Sequence, residues 1–350
     1  MRLFRSPVVC FLLAAGLPFV LSYSVFVYAQ RAALLTAPDV YIDRLKREGQ
    51  ATYMVSLQTW KYILARDAAC TQADVVVIGS SHLREVDERI VGVPVCNLYV
   101  DGLNAPMFDS IVKQLPPVTP GRHRVAYVGL YHRFFWWPTP LEDTIDVWLF
   151  EAGRPLWRVW RVVRPLAFFS ISDLRESVRR QRGGTAAYIT WFPDGHASFP
   201  GYYLDKAAGV HRSWTAPEID KDVDDYFRET RVREKYLRVF LTGLQRLRAK
   251  GYTVNLFWEP IGHAFAAHAR HRYGDRFDLP IEAVERMKVP LPVGRYLAAR
   301  ETLDAQRFAC GENDALDQFH VDVDCISRFF TLTFPRDSTV AGAAVADHGR

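Results

Sequence analysis

Short apolar, β-forming segments alternate with helical patterns along this chain, and that alternation most constrains its fold. The predicted strands are 74–78, 95–99, 124–130 and 252–258. The helical patterns between them are 82–90, 105–115 and 223–250. Strands that alternate with helices form parallel βαβ units, with helices covering both faces of the sheet. The sequence therefore predicts an α/β fold, arranged as a three-layer α/β/α sandwich with a mainly parallel sheet.

The first thirty residues differ from the rest of the chain. Residues 7–29 carry no charged side chain, and about 20 apolar residues suffice to cross a bilayer. Arg2 and Arg5 precede this run, which favours an amino terminus that stays in the cytoplasm. We therefore predict a single transmembrane helix within 1–30 that anchors a globular domain on the outer, periplasmic or extracellular face. A cleaved signal peptide is the alternative, because residues 27–29 resemble a cleavage site.

The rest of the chain divides by composition and pattern. We predict a helical stalk at 31–70, an α/β domain at 71–335 with an insertion at about 133–222, and a flexible tail at 336–350. The insertion holds an aromatic loop at 191–203 and a stripe of basic residues flanked by tryptophan, which suits either a membrane surface or a solvated helix face. The stripe is Arg154, Arg158, Arg161 and Arg164. The net charge of +5 is too small and too evenly spread to indicate a nucleic-acid partner.

Four cysteines lie outside the apolar amino-terminal segment: Cys70, Cys96, Cys310 and Cys325. An even number in an exported chain predicts disulfides, and four cysteines allow three pairings. A Cys70–Cys96 bond would bracket the first strand, and a Cys310–Cys325 bond would bracket a segment near the carboxyl terminus. Buried free thiols are the alternative.

Polar residues follow each predicted strand at the point where it ends. In open α/β sheets the reactive groups collect at these carboxyl ends. The segments are Gly79-Ser80-Ser81-His82, Asp101-Gly102-Leu103-Asn104, Gly129-Leu130-Tyr131-His132 and Glu259-Pro260-Ile261-Gly262-His263, with Asp317-Gln318-Phe319-His320 near the end of the chain. Of the ten histidines, His320 alone has an aspartate three positions before it. A serine hydroxyl becomes a good nucleophile when a base removes its proton, and an acid can hold that base in one tautomer.

These segments resemble the SGNH (GDSL-like) hydrolase superfamily over residues 72–132 and 223–330. The resemblance implies a flavodoxin-like SGNH fold in which Ser81 is the nucleophile, His320 the base and Asp317 the orienting acid. Ser80 stands where the family usually has aspartate. Backbone N–H groups of Ser81 and Gly102 would form the oxyanion hole.

The asparagine that the family places after the third strand is missing. Tyr131 or His132 stands at that point instead, and Asn104 is the other candidate for a third donor in the oxyanion hole. A metal site built from His320 and nearby aspartates is a weaker interpretation, and we expect neither a metal nor a cofactor. The aspartates concerned are Asp317, Asp322 and Asp324.

A G-S-S opening on an anchored, exported domain looks most like DltD-type and alginate O-acetylation-type proteins. The resemblance implies a membrane-anchored serine esterase or O-acyltransferase that acts on a cell-envelope polysaccharide or related polymer. The bilayer, an envelope glycan or other acyl acceptor, and a membrane-bound O-acyltransferase would be its partners. A catalytically inactive SGNH-like scaffold or glycan-binding protein is the first alternative, and a lipase or lysophospholipase is the second.

Overall fold

A computed structural model describes residues 43, 45–49, 57–138, 145, 148, 189–210, 213–287, 291–311 and 314–334. Among those residues, no helix combines the length and the apolar character needed to cross a membrane. The predicted anchor at 1–30, half of the predicted stalk at 31–70, the basic stripe of the insertion and the tail at 336–350 lie outside the described residues.

The described strands form one central sheet and one small hairpin. They are β1 (Val75–Ile78), β2 (Val95–Asn97), β3 (Val125–Leu130), β4 (Thr190–Trp191), β5 (Ala197–Ser198), β6 (Thr253–Trp258) and β7 (Arg295–Tyr296). The central sheet has the order β2-β1-β3-β6-β7, and all of its pairs are parallel. The predicted α/β class with a parallel sheet is therefore confirmed.

The described helices lie between and around these strands. They are α1 (Leu57–Leu64), α2 (Ala68–Gln72), α3 (Glu88–Val91), α4 (Ala105–Gln114), α5 (Pro200–Ala207), α6 (Ala216–Phe227), α7 (Glu234–Ala249), α8 (His263–Met287), α9 (Ala299–Thr302) and α10 (Val323–Thr333). Single 3₁₀ turns occur at Ser81–Leu83, His132–Phe135 and Ala305–Phe308.

Two hydrophobic cores cover the two faces of the sheet, because successive strand residues point to opposite sides. On one face, Val76 and Ile78 pack with residues of α1, α4, α6, α7 and α8. On the other, Val75 and Val77 pack with residues of α10 and the 3₁₀ turn before it. Helices on both faces of one sheet make the three layers that the sequence pattern predicts.

The amphipathic pattern at 223–250 folds as two helices rather than one. Helix α6 ends at Phe227, a turn closes where the Thr230 N–H donates to the Phe227 carbonyl at 3.0 Å, and α7 begins at Glu234. Helix α6 packs against α8, whereas α7 packs against α4. The chain turns between them because the two apolar faces have different partners.

Residues 57–72, within the stretch predicted as a stalk, pack into the domain. Trp60 and Leu64 of α1 are fully buried in the first core. A disulfide joins Cys70 of α2 to Cys96 of β2, with Cα atoms 4.9 Å apart. The second disulfide joins Cys310 and Cys325, with Cα atoms 5.4 Å apart. Of the three pairings that the sequence leaves open, the structure therefore shows the one that brackets β1.

The aromatic loop of the insertion forms the β4–β5 hairpin and helix α5. Trp191 is buried, and its indole N–H donates to the Tyr99 hydroxyl at 3.0 Å. The Phe192 ring stacks on His196 with centroids 4.1 Å apart. These aromatic side chains pack on the α/β domain, which places helix α5 beside the carboxyl ends of the strands.

Candidate active site

The Gly-Ser-Ser turn leaves β1 in the middle of the sheet, where the strand order reverses between β2 and β3. Such switch points open a crevice at the carboxyl edge of an α/β sheet. Ser80 is the N-cap of a 3₁₀ turn that begins at Ser81. Ser80 is buried, whereas Ser81 is partly exposed. The second of the two adjacent hydroxyls is therefore the one that a substrate can reach.

Ser81, His320 and Asp317 form a continuous hydrogen-bonded chain. The Ser81 Oγ lies 2.7 Å from the His320 Nε2. The His320 Nδ1 lies 2.7 Å from the Asp317 Oδ2. These distances fall within ordinary hydrogen-bond range, which is also the reach required of a nucleophile, its base and an orienting acid.

The environment of Asp317 fixes the direction of these bonds. Its Oδ1 accepts backbone N–H groups from Phe319 at 2.9 Å and from His320 at 2.7 Å. Burial opposes ionisation, but the His320 imidazole and these hydrogen bonds outweigh it and hold the pKa of Asp317 well below its ordinary value. An ionised carboxylate only accepts, so the His320 Nδ1 carries the proton. The Nε2 lone pair then accepts the Ser81 hydroxyl proton.

The loop that carries Asp317 and His320 is held at both ends. The Leu316 N–H donates to the His320 carbonyl at 2.9 Å, and the Gly262 N–H donates to the Phe319 carbonyl at 3.2 Å. A Cβ on Gly262 would lie 2.8 Å from the Gln318 carbonyl oxygen, so glycine permits this close approach. The Cys310–Cys325 disulfide encloses the whole loop. The imidazole is therefore presented from a fixed backbone.

Glu259, the first residue after β6, binds the other serine of the turn. Its Oε1 accepts the Ser80 N–H at 2.7 Å, and its Oε2 accepts the Ser80 hydroxyl. The side chain is fully buried. Burial raises the pKa of Glu259 to about 7, although both hydrogen bonds from Ser80 oppose the rise. Glu259 thus holds the backbone immediately before the nucleophile.

Two glycines make room for this carboxyl group. Gly79 directly follows β1 and Gly129 lies in β3, each one position after the paired residues Ile78 and Val128. A Cβ on Gly79 would collide with the Glu259 Oε1, and a Cβ on Gly129 would lie 2.5 Å from the same atom. No carbon atom fits at that separation, so the site requires glycine at both positions.

His82 packs against His320. Its ring centroid lies 4.6 Å from that of His320 and 4.2 Å from that of Phe319. Neither ring nitrogen has a hydrogen-bond partner among the described residues. Burial, together with the neighbouring His320 and Arg84, lowers the pKa of His82 well below its ordinary value. His82 is therefore a neutral ring that supports one side of the base.

Backbone N–H groups of Ser81 and Gly102 donate to no other described residue. The Val100 N–H donates to the Gly79 carbonyl at 2.9 Å, which draws the residues after β2 alongside the nucleophile turn. Gly102 has φ of +67°, in the left-handed region that glycine tolerates best. Neither N–H group is therefore committed to another described residue.

The other two residues predicted for the oxyanion hole are engaged elsewhere. The Asn104 side chain accepts the Met107 N–H at 3.0 Å as the N-cap of α4, and donates to the Trp137 carbonyl at 3.1 Å. The His132 ring is fully buried, and its centroid lies 4.3 Å from that of Phe277. Burial lowers the pKa of His132 to about 3. Neither side chain is a donor at the surface, which corrects the assignment of both.

Three acidic residues on either side of His320 in the sequence bind a lysine. Asp314, Asp322 and Asp324 bring their carboxylates together, and the Lys206 Nζ lies 3.2, 2.6 and 2.9 Å from them in that order. The ammonium group occupies the position that a cation would take among these oxygens. Asp322 and Asp324 are thus separate from the chain of Asp317, His320 and Ser81.

Sequence reasoning noted Glu259 at the end of a strand but gave it no role. The signal that could have identified it is the pair of glycines Gly79 and Gly129, where a Cβ would collide with the buried side chains of Glu259 and Leu83. No protein-family model matches the chain, and no curated protein matches its sequence. The site is therefore interpreted from its own geometry.

Proposed function

We propose that this chain is a serine esterase or O-acyltransferase. The observation that carries the proposal is the hydrogen-bonded chain from Ser81 through His320 to Asp317, with both distances 2.7 Å. The three residues come from two distant parts of the sequence, and all three are partly exposed. Nucleophile, base and orienting acid in this geometry support acyl transfer through a covalent intermediate.

In the first half-reaction the Ser81 Oγ attacks the carbonyl carbon of an acyl donor while the His320 Nε2 takes the hydroxyl proton. Negative charge develops on the carbonyl oxygen, and the backbone N–H groups of Ser81 and Gly102 can donate hydrogen bonds to it. The bond to the leaving group then breaks, and His320 returns the proton to that group. The product is an ester on Ser81.

In the second half-reaction His320 takes a proton from the acceptor hydroxyl, and the acceptor oxygen attacks the acyl-Ser81 carbonyl. The Ser81 C–O ester bond breaks, and the proton passes from His320 to the Ser81 Oγ. Water as acceptor gives hydrolysis, and a sugar hydroxyl gives O-acylation. The same residues serve both outcomes, so the acceptor decides between esterase and transferase.

The resemblance to SGNH hydrolases supports the class of acceptor. The strand order β2-β1-β3-β6-β7 has the same pattern as flavodoxin-like sheets. Two disulfides suit an oxidising compartment outside the cytoplasm. We propose a cell-envelope polysaccharide or related polymer as acceptor, an amino-terminal membrane anchor, and a membrane-bound O-acyltransferase as the source of acyl groups.

A fluorophosphonate probe tests the proposal directly. The Ser81 Oγ–P bond forms, the P–F bond breaks, fluoride leaves, and His320 takes the hydroxyl proton. We expect labelling of the wild-type protein and none of Ser81→Ala. Ser80→Ala is the matched control, because it removes the neighbouring hydroxyl and keeps the nucleophile. Undiminished labelling of Ser81→Ala would remove Ser81 from the mechanism.

An inactive scaffold is the competing hypothesis, and a specific observation favours it: the Asn104 side chain caps a helix and the His132 ring is fully buried, so neither supplies a third oxyanion donor. Deletion of the gene followed by complementation separates the two. The enzyme hypothesis expects Ser81→Ala and His320→Ala to fail in complementation, whereas the scaffold hypothesis expects both to succeed.

A further inference from the structure

Helix α5 of the insertion lies between the segment that carries the nucleophile and the segment that carries the base. Tyr203 stands near its middle. The Tyr203 hydroxyl donates to the Glu85 Oε2 at 2.6 Å, and it accepts the Val323 N–H at 3.0 Å. Glu85 follows Ser81 by four residues, and Val323 follows His320 by three. One hydroxyl group therefore joins both catalytic segments.

Other contacts of this helix strengthen both ends of the bridge. On the nucleophile side, the Arg84 Nε donates to the Ser81 carbonyl at 2.7 Å, and the Arg84 guanidinium lies 4.6 Å from the Phe199 ring centroid. On the base side, the Lys206 Nζ lies 2.6 Å from the Asp322 Oδ2. Phe199 precedes α5 and Lys206 lies in its last turn. The helix thus touches each catalytic segment more than once.

The hydrogen bond from the Tyr203 hydroxyl to Glu85 is shielded from water. Glu85 is 4% exposed, and its Oε1 has no partner among the described residues. Burial raises the pKa of Glu85 to about 7, and the hydrogen bond from Tyr203 opposes that rise. Tyr203 is thus a stabilising partner of this buried carboxyl group, and hydrogen bonds are stronger where water is excluded.

We propose that Tyr203 is a positioning residue that holds the Ser81 turn and the His320 loop at their working separation through its hydroxyl group. The proposal deepens the proposed function and rests on it. Tyr203 touches neither Ser81 nor His320, so it acts through Glu85 and Val323. Helix α5 of the insertion then holds the residues of the triad in position.

The test is the Tyr203→Phe variant, which removes the bridging oxygen and keeps the ring. We expect the maximal rate of fluorophosphonate labelling to fall about 10- to 100-fold, because small misplacements of catalytic groups have effects of that size. The half-saturating probe concentration and the final labelled fraction should not change. A loss of folded protein would instead lower the labelled fraction.

Tyr296→Phe is the matched control. The Tyr296 hydroxyl donates to the Glu285 Oε1 at 2.8 Å and accepts the Trp258 indole N–H at 3.2 Å, so the variant loses the same types of bond. It links no catalytic segment. We expect wild-type labelling rates for it. Equal rates for Tyr203→Phe and wild type would overturn the proposal, and so would a fall confined to the labelled fraction.

Hydrogen exchange provides a measurement that does not depend on reactivity. Tyr203→Phe should raise exchange in residues 81–91 and in residues 314–325, and Tyr296→Phe should raise it in neither. If the wild-type protein is not labelled at all, the proposed function fails, and hydrogen exchange alone then tests whether Tyr203 holds the two segments together. Unchanged exchange in either segment of Tyr203→Phe would contradict the role proposed for Tyr203.

Discussion

The two serines of the turn are chemically identical neighbours with opposite surroundings. Ser81 is partly exposed and meets an imidazole, whereas Ser80 is buried and meets a carboxyl group. The two nearby carboxyl groups, Asp317 and Glu259, have pKa values shifted in opposite directions. Neighbouring donors hold the pKa of Asp317 well below its ordinary value, although burial opposes them, while burial raises the pKa of Glu259 to about 7.

Under the proposed function, the two serines of this turn therefore have different roles: Ser81 is the nucleophile, and Ser80 binds the supporting residue Glu259. Asp317 is held ionised by an imidazole and two backbone N–H groups, so it can stabilise the imidazolium that forms when Ser81 loses its proton. Glu259 has Ser80 as its hydrogen-bond partner, and burial raises the pKa of its carboxyl group to about 7. Under the proposed function, these environments suit Asp317 to orient the base and Glu259 to support the backbone.

The largest effect is expected from Asp317→Asn. The amide can present an N–H to the His320 Nδ1, which favours the tautomer with a protonated Nε2 and leaves no acceptor for the Ser81 proton. We expect the phosphonate labelling rate to fall about 10⁴-fold. A rate within tenfold of wild type would show that Asp317 does not set the tautomer.

The same change at the other acid, Glu259→Gln, should alter the pH dependence of stability. Since the folded protein holds this proton up to about pH 7 and an unfolded chain releases it near its ordinary pKa of 4.5, wild-type stability falls as pH rises between these values. The Gln variant lacks this contribution. Relative to the variant, the wild type should lose about 3 kcal/mol of unfolding free energy across that window.

Urea unfolding of both proteins at several pH values measures this difference. Glu85, whose pKa burial also raises to about 7, is present in both proteins, so its contribution cancels. A difference that does not vary with pH would mean that Glu259 titrates normally in the folded state.

Gly129→Ala should disturb the buried Glu259 side chain that binds Ser80. The new Cβ would lie 2.5 Å from the Glu259 Oε1, and the buried side chain has little room to move. We expect a loss of about 1–3 kcal/mol in the free energy of unfolding, the usual range for overpacking. Gly311→Ala is the control, because a Cβ there meets nothing within 4 Å. Equal stability of the two variants would argue against a fixed Glu259.

Ser80→Ala should have the smallest effect. It removes the hydroxyl bond to Glu259 and keeps the Ser80 N–H bond at 2.7 Å. We expect a loss of about 1 kcal/mol in the free energy of unfolding and less than a tenfold fall in labelling rate. Labelling as weak as that of Ser81→Ala would reverse the roles assigned to the two serines.

Much of the fold follows from the order of apolar segments. Four of the five strands of the central sheet follow the predicted positions closely, because each is a short β-forming run bounded by turn residues. The edge strand β7 spans two residues, Arg295–Tyr296, and such a segment has no periodic signal. The break between α6 and α7 depends on the partners of each helix, which sequence alone does not supply.

The proximity of Ser81, His320 and Asp317 was predictable for a different reason. Parallel strands bring their carboxyl ends to one edge, and the spacing of Asp317 and His320 is local. The assignment of Asn104 to the oxyanion hole was wrong because Asn before Ala105-Pro106 is a helix N-cap signal, and capping determines its position. The surroundings of His132 come from α6 and α8, so its burial required the assembled structure.

The hydroxyl of Ser81 and the imidazole of His320 stand 239 positions apart in the chain. During synthesis the amino-terminal part emerges and begins to fold first. A ribosome must therefore add a further 239 residues after Ser81 before the serine meets its hydrogen-bond partner. A nascent chain that stops before His320 would hold the Ser81 hydroxyl without this imidazole, so the pair can form only after the His320 codon has been translated.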